Sequence, residues 1–356
     1  MSESMPHLII VCPEPYTGRG GISTAVGGFL DGFELLGISP TVIASHVTGA
    51  GKVRQWFKAL KELYRVCKRH RNDTVVWFHC GAWFSMFRKW TLALVASFHG
   101  AKTVIHLHST VIEQYQAHPL GRWLFKRFLN AFDRVFVVTP WWADWLKVNF
   151  DVDATPLFNP LNKRSFDGRV LDKASLVVGT DSIHLVSMSR LVEGKGFELL
   201  LETMTRLPDS VILTIAGDGY LMDSLRKKVV QFRLSDRVTF AGWVEKDEKE
   251  RLLEQADILV LVSQAESFGM AYIESMVKGT PVIGLARGPI LDVVTDDVGR
   301  LITCESPVLL AEAITYVAAN ASEMGAAARQ RAEQVFHPYE IAMKARQLLK
   351  IDKLHD

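Results

Sequence analysis

The chain has 356 residues, 48% of them hydrophobic and 22% charged. That length exceeds what one hydrophobic core usually reaches, about 250 to 300 residues, and the composition excludes a disordered chain, so two folded domains are expected. The net charge of +2 hides a division, since residues 1–165 carry +8 and the remainder −6; only the front half is expected to face something anionic.

The opening MSESMPHLIIVCPEP holds an apolar run of five, too short for a secretory core. WTLALVASF (90–98) is about half the length of a membrane span. Cys12, Cys67, Cys80 and Cys304 form no C-x-x-C and no metal spacing, which fits buried thiols in a reducing compartment. A cytoplasmic protein is expected, peripheral on a membrane at most.

In chain order, short β-rich runs alternate with helical stretches. HLIIVC (7–12), PTVIA (40–44), TVVWFHC (74–80), KTVIHLH (102–108) and RVFVVT (134–139) are the expected strands of the first half. HLVSMS (184–189), VILTIAG (211–217), RVTFAG (237–242), DILVLVS (257–263) and TPVIGL (280–285) are those of the second. Apolar, β-branched runs alternating with helices imply parallel α/β sheets covered on both faces. The joint is placed near FNPLNKRSFDG (158–168), where Asn, Pro and Gly break the periodicity. Ligands of such sheets bind beyond the carboxyl ends of the strands, so a cleft between two domains is the expected site.

Between Val53 and Arg71, Trp56, Phe57, Leu60, Leu63, Tyr64 and Cys67 recur at helical spacing, with Lys58, Lys61, Arg65, Lys68 and Arg69 between them. Such a helix either packs with a solvated basic face or meets anionic lipid, the latter helped by Trp83, Arg88, Lys89 and Trp90 nearby. No nucleic-acid motif is present.

Five stretches carry chemistry. SMSRLVEGKGFELLLETM (187–204) places Arg190 and Lys195 between a strand and a helix, where two cations and helix N–H groups suit a diphosphate. LTIAGDGYLMDSLRKKV (213–229) sets Gly217, Asp218 and Gly219 at a strand end, and GRGGISTAVGGFL (18–30) offers Gly20 and Gly21. Glycines there permit close backbone approach, although tight turns use glycine everywhere. AESFGMAYIESMVKGTPVIG (265–284) holds Glu266 and Glu274 eight positions apart. Along a helix that is about 12 Å, wider than a pair of acids flanking one glycosidic bond, so they read different parts of one long ligand. VIHLHSTVIEQY (104–115) ends a strand with His106 and His108 on one face. His106 reads as a core residue, and no third ligand accompanies the pair, so no metal is expected.

Taken in order, SRLVEGKG, IAGDGYLMDSL, LSDRVTFAGWV, ADILVLVSQAESFGMAYIESMVKGTPVIG and the early GGIS resemble glycosyltransferase family 4, retaining nucleotide-sugar enzymes of the GT-B fold. The resemblance is specific from about Leu185 to Leu301 and looser before it. It implies two Rossmann-like domains facing across a cleft, residues 1–165 for the acceptor and 166–336 for the donor, with a closing helix (337–356) returning to the first. It further implies that Glu266 meets the donor sugar, Glu274 the ribose, and the Ser267–Phe268–Gly269–Met270 turn the distal phosphate beside Arg190 and Lys195. Gly217 and Gly21 would approach the phosphates, and His108 would line the sugar site. A nucleotide-diphosphate sugar is then the co-substrate, no cofactor or metal is required, and a glycan or lipid-linked oligosaccharide is the acceptor at an anionic membrane surface. Bacterial surface polysaccharide assembly is the implied setting.

The sequence departs from the family at RGPILDVV (287–294), where Pro289 and Asp292 replace a glycine and a glutamate, and at FNPLN, which leaves Asn159 the candidate hinge or donor-site residue. The D-x-D at Asp151-Val152-Asp153 reads as surface. A nucleotide-sugar epimerase on the same fold and a non-catalytic sugar-nucleotide-binding partner are the competing readings.

Overall fold

The computed structural model describes residues 6–15, 20–46, 51–70, 73–167, 176 and 181–350. Arg71, Gly168 at the expected joint, and the end of the expected closing helix (351–356) lie outside them. The chain divides into two compact units, residues 1–163 with 336–356, and residues 164–335.

The first unit runs β1 (His7–Pro13), α1 (Gly21–Leu35), β2 (Thr41–His46), α2 (Lys52–His70), β3 (Thr74–Cys80), α3 (Phe84–Phe98), β4 (Lys102–Leu107), a 3₁₀ turn, α4 (Pro119–Leu129), β5 (Arg134–Val137), α5 (Pro140–Phe150) and β6 (Thr155–Pro156). Its six strands are parallel, in the order β2-β1-β3-β4-β5-β6. Every residue of β3 is buried, as a central parallel strand covered on both faces requires.

The second unit runs β7 (Ile183–Met188), α6 (Phe197–Met204), β8 (Val211–Ala216), α7 (Met222–Gln231), β9 (Val238–Gly242), α8 (Lys246–Gln255), β10 (Ile258–Leu261), α9 (Met270–Met276), β11 (Val282–Leu285), α10 (Ile290–Val293), β12 (Gly299–Ile302), α11 (Pro307–Ala319) and α12 (Ala321–Val335). It forms a second parallel sheet, ordered β12-β11-β10-β7-β8-β9. The ten expected strands are all present; β6 and β12, of two and four residues, were not expected.

The last helix, α13 (Pro338–Leu349), packs on α1 of the first unit. His337 caps it by accepting from the Tyr339 N–H, and Pro338 occupies its first turn. Ile341, Ala342, Ala345 and Leu349 join the core formed with Phe29 and Phe33. The approach is close: a Cβ on Gly32 would lie 2.2 Å from the Pro338 carbonyl oxygen.

Helix α2 differs from its expected packing. Only Ala59, Leu63 and Cys67, one residue per turn, are buried, whereas Phe57 and Tyr64 lie off that seam and are exposed. Arg88 and Lys89, expected beside a lipid surface, are instead buried, because α3 turns positions 88, 89, 92, 93 and 96 inward. Cys304 is exposed, unlike the other three cysteines. Asp151 and Asp153 are exposed and pair with Lys147. Among the described residues, no helix is long and apolar enough to cross a membrane.

Candidate functional site

In the second unit the chain enters the sheet at β7, winds outward through β8 and β9, then returns to β10 on the other side of β7. The crevice between β7 and β10 is therefore a topological switch point, where loops leave in opposite directions and open a binding site. The loops after β7, β8 and β10 are stitched together there by backbone bonds. Leu191 N–H donates to Asp218 O (2.9 Å), Leu221 N–H to Leu191 O (3.1 Å), and Gln264 N–H to Gly194 O (2.7 Å).

Glycine makes this closeness possible at two positions. Gly217 holds φ 149°, and a Cβ there would fall 1.8 Å from the Ser189 carbonyl oxygen. Gly269 holds φ 81° at the start of α9, its missing Cβ 2.4 Å from the Tyr272 ring. That ring is fixed, since the buried Tyr272 hydroxyl donates to Leu261 O at 2.5 Å. Burial, helped by the charge of Glu266, holds the Tyr272 phenol well above its ordinary pKa and keeps it a donor.

Two of the expected site residues of this unit, Lys195 and Glu266, meet across the crevice. Lys195 Nζ lies 2.5 Å from Glu266 Oε1 and donates to Ala265 O at 3.2 Å. Their side chains are 14% and 20% exposed, so both remain within reach of a ligand. Glu274 faces Lys249 at 2.6 Å. Arg190 is exposed and forms no ion pair with the described residues. Ser267 and Met270 are partly exposed, whereas Phe268 is buried. The crevice thus offers an ammonium beside a carboxylate, with Arg190 in the loop after β7 and Glu274 inside α9.

Neither Lys249 nor Tyr272 stood out in the sequence. Lys249 is one of several charges in KDEKER, and Tyr272 reads as one apolar position among others in α9.

The first unit has its own switch point, between β1 and β3. Gly21 opens α1 just after β1, and His108 follows β4. His108 is 7% exposed and its Nε2 lies 3.0 Å from His79 Nδ1. His106 and His79 are side by side in register on β4 and β3, both fully buried.

The expectation that no third ligand accompanies His106 and His108 is thus corrected: ligand atoms of all three imidazoles lie within 4.8 Å of one another. A neighbour on an adjacent strand, 27 residues away, leaves no trace in local spacing. This trio is the one group of the described residues spaced to hold a metal. Its surroundings oppose a cation, since Lys89 already acts on His79 as a repelling positive charge. Burial, reinforced by mutual repulsion, drives His79 and His106 well below the ordinary histidine value, with the backbone of Leu157 and Val137 partly opposing at His106. Burial alone takes His108 down to about 3. All three are neutral hydrogen-bonding groups near pH 7. Asn159 is buried, its Oδ1 without a partner among the described residues.

Two family models match the chain: Glycosyl transferases group 1 over residues 170–335 and Glycosyltransferase Family 4 over residues 19–158. Lipopolysaccharide core biosynthesis glycosyltransferase LpsE of Rhizobium meliloti is 40% identical over 125 residues, 34% of this chain and 36% of that protein. O-antigen biosynthesis glycosyltransferase WclY of Escherichia coli is 31% identical over 140 residues, 39% of this chain and 38% of that one. The matched segments thus span little more than a third of these relatives. HepE from Anabaena, solved with UDP and glucose, superposes with a TM-score of 0.72 at 16% identity, over 97% of this chain and 99% of that one; at that identity the likeness is one of fold.

Proposed function

Because the chain belongs to glycosyltransferase family 4 and has the GT-B fold, we propose that it transfers a hexose from a nucleoside diphosphate sugar to a glycan or lipid-linked acceptor in bacterial surface polysaccharide assembly. The observation that carries this reading is the meeting of Lys195 and Glu266 across the β7/β10 switch point, inside loops closed by glycines. Relatives named for lipopolysaccharide core and O-antigen synthesis, and a neighbour solved with UDP and glucose, support the substrate class.

In this reading Lys195 and Arg190 neutralise the diphosphate, and the turn from Ser267 to Met270 faces its distal phosphate. Glu266 accepts hydrogen bonds from sugar hydroxyls, and Glu274, oriented by Lys249, accepts from the ribose. The bond from the anomeric carbon to the phosphate oxygen breaks as positive charge grows on the sugar. The two cations stabilise the departing diphosphate in place before the charge develops. The acceptor oxygen attacks the same face with retention, its proton passing to the leaving phosphate oxygen. In the first unit, Gly21 and His108 are the proposed ligand-facing residues; a neutral His108 can bond a hydroxyl but has no proton to give as an acid. No metal is assigned a part. Peripheral attachment of the first unit to an anionic membrane is supported by the exposed Phe57, Trp83, Phe84 and Trp90 near the basic residues of α2.

The test is incubation with UDP- and GDP-sugars, with and without lipid-linked acceptor. Slow donor hydrolysis and acceptor-dependent nucleotide release are expected. Conversion of the sugar without acceptor points to an epimerase, and no turnover or binding of any donor overturns the reading.

A further inference from the structure

Lys89 is fully buried, and its ammonium donates to Ser45 Oγ. Ser45 in turn donates to Cys12 O at 3.0 Å, so the ammonium sits over the carboxyl ends of β1 and β2. Arg88, 6% exposed, is next to it, with one guanidinium nitrogen 3.0 Å from His46 Nδ1 and its Nε without a partner among the described residues. Neither cation forms an ion pair with any described residue. His46 is held below its ordinary value by burial and then by Arg88, Lys52 and Lys89, with no acid acting on it. Two buried cations without a counter-charge are costly, because desolvation is repaid only by a partner anion. Both also act on Cys80, the last residue of β3, so they lie beside the β1/β3 switch point, where parallel sheets bind ligands.

We propose that Arg88 and Lys89 bind the phosphate or diphosphate group of the acceptor. The missing counter-charge is then the ligand's, and the assignment rests on the first unit being the acceptor domain. The same helix extends the site: the Arg88 guanidinium lies 5.4 Å over the ring of Phe84, and Phe84, Phe87 and Trp90 are exposed beyond it. An acceptor whose phosphate carries an isoprenoid chain therefore finds a cationic pair and an apolar face on one helix.

Thermal unfolding of the full chain in saturating UDP, which occupies the donor site, tests this. Inorganic pyrophosphate, farnesyl diphosphate and farnesol are the probes. At a hundredfold excess over its dissociation constant, a ligand of the folded state raises the midpoint by about 5 °C or more. Such a rise is expected with farnesyl diphosphate, at least a tenfold loss of apparent affinity in both Arg88→Gln and Lys89→Met, and an unchanged response of both variants to UDP. Pyrophosphate acting as well as the farnesyl ester assigns the site to free phosphates, and a clear preference for the ester assigns it to a lipid headgroup; either supports the proposal if the variants lose it. A response equal in wild type and both variants, or none to either anion, overturns it. Should Lys89→Met fail to fold, Arg88→Gln alone decides. Loss of the UDP response in wild type would instead count against the donor reading.

Discussion

Lys195 and Glu266, 71 residues apart in sequence, meet at 2.5 Å across the β7/β10 crevice, each carried on the loop that follows its strand. The pair holds the ammonium in position before any ligand arrives. A diphosphate must then share Lys195 with Glu266. Glu266→Gln should leave UDP affinity unchanged or tighten it roughly fivefold, about 1 kcal/mol, while transfer falls about a hundredfold because the sugar is no longer oriented. Lys195→Ala should weaken UDP and lower kcat/KM by about 10² to 10³. Calorimetric titration with UDP and steady-state kinetics on both variants separate these effects. Weakened UDP binding in Glu266→Gln would remove Glu266 from the sugar end of the site.

Glycine contacts make a second prediction, about how the chain closes on itself. Gly32 lies under α13, where an added Cβ would meet the Pro338 carbonyl at 2.2 Å and the Ala342 methyl at 2.7 Å. Backbone cannot yield cheaply, so Gly32→Ala should force α13 off α1 and cost about 2 to 3 kcal/mol. Hydrogen exchange over residues 338–349 should rise sharply. At Gly37 a Cβ meets nothing within 4 Å, and only its φ of 70° opposes alanine, so Gly37→Ala should cost about 1 kcal/mol and leave that exchange unchanged.

What the sequence discloses follows from the range of the interactions. Strands such as TVVWFHC announce themselves because a doubly covered strand is apolar at every position. The motif loops were legible because Arg190, Lys195 and Glu266 fall at strand-to-helix junctions, with Glu274 one turn into the helix that follows. GRLI in β12 was missed because four residues with an arginine show no period. The Lys249–Glu274 pair and the His79–His106 neighbours depend on which strands and helices end up adjacent, and no local pattern encodes that. Arg88 and Lys89 misled most, since charges beside tryptophans resemble a lipid-facing surface until the phase of α3 is known.

The buried imidazoles make the fold sensitive to acid. His108 has a folded value of about 3 against 6.5 when unfolded, so the unfolded chain binds more protons between those limits. Stability is therefore full above pH 6.5 and declines as pH falls toward 3. At pH 5 this one residue accounts for about 2 kcal/mol, and His79 and His106, shifted the same way, add to it. Urea unfolding between pH 7.5 and 5 should show the decline, and His108→Gln should flatten it by about 2 kcal/mol whatever its effect at pH 7.5. An unchanged slope would mean that His108 is charged or solvated in the folded state.

Lys89 works in the alkaline direction. Burial lowers its value from 10.5 to about 8, Arg88 adding to the fall while Cys80 and Cys12 oppose it. The unfolded chain again binds more protons, here between pH 8 and 10.5, so stability rises as the ammonium is discharged. Cys12, Cys67 and Cys80 pull the other way, because burial raises them from 9.0 to about 12, 11 and 11, and their contribution is lost above pH 9. The lysine is therefore to be read below pH 9, where the thiols are still protonated in both states. Between pH 7.5 and 9 the wild type should gain about 1 kcal/mol relative to Lys89→Met. At pH 7.5 the variant should be the more stable of the two, since it removes a buried charge that has no counter-charge among the described residues. A phosphate-bearing ligand should reverse that order by supplying the counter-charge to wild type alone. If Lys89→Met is instead the weaker protein at pH 7.5 without ligand, the ammonium is a structural strut, and the acceptor-phosphate site then stands or falls on the Arg88→Gln response.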